Sequence, residues 1–86
     1  MTTGSLRDAV AHAIAGRWDE AHGIAQAHEG EALADWLHAV LHKVEGDVSN
    51  ARYWYRRAGR MAHVDDDPAA ELAVIGAALA DARPTS

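Results

Sequence analysis

His38 and His42 stand four residues apart in a segment of helical periodicity, a spacing that lets two imidazoles converge on one ion. Glu45, three residues beyond His42, extends the row. On a helical wheel these three fall opposite an apolar stripe of Leu33, Trp36, Leu37, Val40, Leu41 and Val44, so the row reads as a solvated face, a ligand or partner contact, or half of a divalent-metal site. A zinc-protease signature is absent, because Ala39 stands where that motif needs its Glu. His22, beside the stripe of the second helix, is a candidate third ligand.

Two further groups carry chemistry. In Glu45-Gly46-Asp47-x-x-Asn50 the acid caps a helix and the glycine ends the one before it. A functional reading adds Tyr53, one turn past Asn50, as a polar cluster beside His42. Arg52, Arg56, Arg57 and Arg60 surround Tyr53, Trp54 and Tyr55, with Arg56 and Arg60 expected on Tyr53's side to meet carboxylate or phosphate. Alternatively their stems cover the aromatic edges. His28 reads as a helix C-terminal residue and His63 as part of a loop. The chain of 86 residues has no Cys, no Ser beside a His and no glycine-rich phosphate loop, which removes thiolate, triad and nucleotide-cradle chemistry.

The elements that hold these residues are all helical. Gly16 aligns with Gly46 and Ala21 with Ala51 at an offset of 30 residues, and His12 then meets His42. Each unit divides into two helices. Ser5 and Asp8 make a capping box for the first, whose stripe is Leu6, Val10, Ala13 and Ile14. Trp18, Ala21, Ile24 and Ala25 mark the second, and the third carries the His row. The fourth has Val48, Ala51, Trp54, Tyr55, Ala58 and Ala62 on its inner face. Asp67-Pro68 starts a fifth helix ending near Ala82, expected to cover the open end of the second unit. This gives one domain, 1–86: two tandem helix-turn-helix units, about 5–28 and 30–60, and a capping helix at about 67–82.

The pieces Gly16-Arg17-Trp18-Asp19-Glu20-Ala21 and Gly46-Asp47-Val48-Ser49-Asn50-Ala51-Arg52-Tyr53-Trp54-Tyr55 resemble the turn and second helix of tetratricopeptide and Sel1-like repeats. The stretch from His38 to Tyr55 is also similar to a group of small bacterial helical proteins without an assigned activity. The repeat resemblance implies a concave surface lined by the first helix of each unit. His12, His38 and His42 would then look into one shallow groove.

A net charge of −5 argues against nucleic acid as a partner. No stretch reaches the roughly 20 apolar residues of a membrane span, and the polar start lacks a signal-peptide core, so a cytoplasmic protein is expected. The uncharged outer side of the fifth helix (Ala70, Val74, Ala77) would allow a homodimer. The leading expectation is a module binding a protein, a peptide or a small ligand through His38, His42, Glu45, Asn50, Tyr53 and Arg56. The alternatives are a small metal-dependent enzyme centred on His38, His42 and Glu45, and a purely structural unit.

Overall fold

Ser5 closes the first helix as its sequence requires: its Oγ accepts from the Asp8 N–H and Asp8 Oδ2 accepts from the Ser5 N–H, both at 3.1 Å. The computed structural model describes residues 5–81, and they are all-helical without a strand. The helices are α1 (Leu6–Ile14), α2 (Trp18–Ala27), α3 (Ala32–Val44), α4 (Val48–Ala58) and α5 (Pro68–Asp81), with a 3-10 turn at Met61–His63. The proposed end of α5 at Ala82 lies outside the described residues.

The turns α1–α2 and α3–α4 have the same backbone. Gly16 and Gly46 take φ of 83° and 87°, a left-handed region that a Cβ disfavours. The next amide folds back in each, Arg17 N to His12 O at 2.8 Å and Asp47 N to His42 O at 2.9 Å. These equivalent atoms are thirty residues apart in the chain. Helix α4 stops earlier than its apolar pattern suggests, at Ala58, because Gly59 turns left-handed (φ 71°). Ala62 is therefore exposed and outside α4.

Helix α3 is the axis of the molecule, with every residue from Ala34 to Leu41 buried. Helices α2, α4 and α5 surround it, and α5 also packs on α1. This corrects two expectations. The polar row of α3 is solvated only at its outer end, since Glu45 is exposed while His38 is 3 % exposed. Nor does α5 close only the end of the second hairpin: it lies on α1 and α3, the helices expected to line an open groove. Three terminal positions of the apolar stripes, Ile14, Val44 and Val48, project past the neighbouring helices and are exposed. Ile14 and Val44 line an open apolar groove with Trp18, Pro68 and Leu72, about 460 Å³ in volume.

A buried acid joins α5 to the hairpins. Glu71 is 1 % exposed, and its Oε1 accepts from Trp36 Nε1 at 3.0 Å and from the Tyr55 hydroxyl at 2.6 Å. Its Oε2 pairs with Lys43. The ammonium of Lys43 donates also to the carbonyls of His63 and Val64, each at 3.3 Å, and of Asp66 at 2.6 Å, fixing the α4–α5 connection. Burial, reinforced by Glu71, pushes the Tyr55 hydroxyl pKa far up, so Tyr55 stays a neutral donor.

Candidate metal centre

Three imidazoles converge where α2 and α4 meet α3. His22 is on α2, and His38 and His42 are one turn apart on α3. Each ring offers one nitrogen, and these atoms lie within 4.8 Å of one another. His22 Nε2 and His38 Nε2 are 2.7 Å apart, so one ring donates and the other accepts. His38 and His42 stack with centroids 4.8 Å apart, while His22 meets them edge-on at 4.5 and 5.0 Å. The indole of Trp54 lies on the opposite face of His38, at 4.0 Å, and the Arg57 guanidinium covers that indole at 4.8 Å.

The surroundings favour the neutral form of two of the rings. Burial, then the neighbouring His22, His42 and Arg57, push the pKa of His38 down to about 3. That of His22 falls for the same leading reason, burial, with His42 adding to it and Glu45 and Asp19 opposing. Nδ1 of His38 is buried without a hydrogen-bond partner, and Nδ1 of His42 has a Glu45 oxygen 3.4 Å away in place of a formed hydrogen bond. Leaving a buried polar atom unpaired costs about 1–3 kcal/mol.

Glu45 completes the group from its position at the C-terminal cap of α3. One oxygen is 3.4 Å from His42 Nδ1 and the other 3.8 Å from His22 Nδ1. A divalent ion bound by imidazole at about 2.0–2.1 Å spaces its ligand atoms roughly 3.3 Å apart.

The remaining candidates lie elsewhere. Asn50 belongs to the helix cap: Asp47 Oδ1 accepts from its N–H at 3.3 Å, and Oδ2 from its side-chain amide at 2.7 Å. The Asn50 amide and backbone hold the Asp47 carboxyl below its usual pKa. Asp47→Ala is therefore expected to lower the urea denaturation midpoint through loss of the cap while leaving zinc affinity within twofold. Tyr53 is exposed, and its hydroxyl accepts from Arg57 at 3.5 Å. Arg56 is exposed; the arginine partnering Tyr53 is Arg57, and Arg60 sits over Trp36 at 5.2 Å. His12 accepts from Arg17 Nε at 2.8 Å and stands outside the three-histidine group. His63 stacks on Trp36 at 4.7 Å, and Asp66 bonds it at 2.7 Å.

Periodicity placed His38, His42 and Glu45 in one row, and α2 brings His22 to them. The Trp54 plate and the Lys43–Glu71 pair had no local signal. Their partners are 16 or more residues distant in the chain, and only packing joins them. No protein-family model, curated protein or solved structure matches the chain.

Proposed function

We propose that this domain is a ligand-binding module whose ligand is a divalent transition-metal ion, held by His22, His38 and His42 with Glu45 beside them. The observation that carries this reading is the convergence of three imidazole nitrogens within 4.8 Å, with the Glu45 carboxylate beside two of the rings. Imidazole ligands suit zinc, nickel, copper and iron better than magnesium or calcium, which prefer oxygen. Neutral rings are the form that coordinates, and burial favours that form at His38 and His22.

The test is calorimetric titration of the full chain with zinc, paired with thermal melting. One ion per chain is expected, with a melting temperature that climbs as zinc is raised. His22→Ala and His42→Ala should each weaken binding by at least about tenfold. A flat titration, no melting shift at millimolar zinc, or two variants that bind like the parent protein would sink the reading.

A second reading, docking of a partner's apolar segment, draws on the groove around Ile14, Trp18, Val44 and Leu72. Ile14, 68 % exposed, is the more open of the two large exposed side chains that line it, the other being Val44 at 37 %. The groove is on the side of α3 that faces α1 and α5, so it is compatible with metal binding at the histidines.

A further inference from the structure

Access to the three rings is strongly one-sided. On the α4 side the site is sealed, with His38 only 3 % exposed under Trp54 and Arg57 stacked beyond the indole. Toward solvent the side chains open stepwise: His42 is 12 % exposed, His22 is 22 % and Glu45 is 41 %. Glu45 spans the opening, one oxygen toward each of the two outer rings, at distances too long to lock it. The nearby Asp47 carboxylate is already engaged by Asn50. Among the described residues, three histidines therefore form the fixed ligand set, the pattern of a site with an open position rather than a closed four-ligand one.

Resting on the metal-binding reading above, we infer that the bound ion keeps its fourth position for a neutral nitrogen donor from outside the chain, and that Glu45 is the displaceable group guarding it. The rim decides the class of donor. The Glu45 carboxylate stands 3.4 and 3.8 Å from the two outer rings, so the mouth of the site is acidic. That carboxylate attracts a metal cation and offsets part of the bound ion's charge, which weakens the pull on small anions relative to uncharged donors. An uncharged imidazole or amine loses nothing to it and supplies the ligand type the ion already favours. Glu45 yields because its carboxylate is hydrated when it swings out, at little cost for an exposed side chain.

Cobalt(II), a spectroscopic stand-in for zinc, tests this on the full chain. The cobalt complex is expected to show visible absorption that imidazole changes saturably, with cobalt still co-eluting with the protein in gel filtration. Glu45→Gln and Glu45→Ala, checked for native helicity by circular dichroism, should reach half-saturation at about tenfold lower imidazole, since the competing carboxylate is gone. The inference is overturned by a cobalt spectrum that a large excess of imidazole leaves unchanged. Loss of cobalt from the protein, or Glu45 variants that respond like the parent, overturn it equally. A chain that gives no cobalt spectrum at all fails earlier, at the metal-binding reading itself.

Discussion

Glu71→Leu is expected to cost about 3–5 kcal/mol, most of the stability of a domain this size. The substitution strands three donors at once. Trp36 Nε1 and the Tyr55 hydroxyl lose their common acceptor, and the Lys43 ammonium loses its counter-charge in a half-buried position. The leucine adds apolar surface but satisfies none of them. Urea denaturation followed by helical circular dichroism measures the loss. Glu71→Gln should fall between, because its amide oxygen still accepts from Trp36 or Tyr55 while the charge on Lys43 goes unanswered. Adding Lys43→Met to Glu71→Leu should recover part of the deficit, since an unpaired buried charge costs more than a missing pair. A Glu71→Leu protein as stable as the parent would show that the network contributes nothing.

The second large effect is acid instability of the metal-free protein. His38 has its pKa lowered from an ordinary 6.5 to about 3, so between those values the unfolded chain binds a proton that the folded chain refuses. Stability is then fully present above pH 6.5 and is lost progressively as pH falls toward 3. At roughly 1.4 kcal/mol per pH unit, His38 alone accounts for about 3 kcal/mol by pH 4, and His22 acts in the same direction. The groups that set this are His22 from α2, His42 from α3 itself and Arg57 from α4, together with the burial. Melting curves from pH 7 to pH 4 in the presence of a chelator measure it. His38→Leu, which keeps an apolar surface against Trp54, should flatten the pH dependence by more than half. An unchanged slope in that variant would assign the acid sensitivity to other groups.

The architecture was readable from local signals because its boundaries depend on local chemistry. Ser5 with Asp8, Gly16, Gly46 and Asp47 each fix a helix end through bonds spanning three to five residues. The row His38–His42–Glu45 was equally legible, since helical geometry alone puts those side chains together. Its direction was not. A wheel contrasts polar with apolar, and it assigns the polar side to water; here α2 and α4 cover that side and supply an imidazole and an indole to meet it. The same limit explains Glu71. In a helix otherwise almost free of charge, a lone carboxylate at its first turns reads as a favourable end group. Its actual partners, Lys43 and Tyr55, belong to helices it meets only after packing. Asn50 and Tyr53 differ: they were expected in a ligand-binding cluster beside His42, and in the fold the side chain of Asn50 bonds to Asp47 and the hydroxyl of Tyr53 to Arg57.

The order of Trp36, Lys43, Tyr55 and Glu71 along the chain has a consequence for synthesis. The carboxylate that answers the buried donors of both hairpins is the last of the four to be made. Until residue 71 is in place, an indole N–H, an ammonium and a phenol keep water as their partner, and the face of α3 that α5 covers stays wet. The native interior is thus completed by the final helix, and two hairpins without it hold a central seam that has not yet dried.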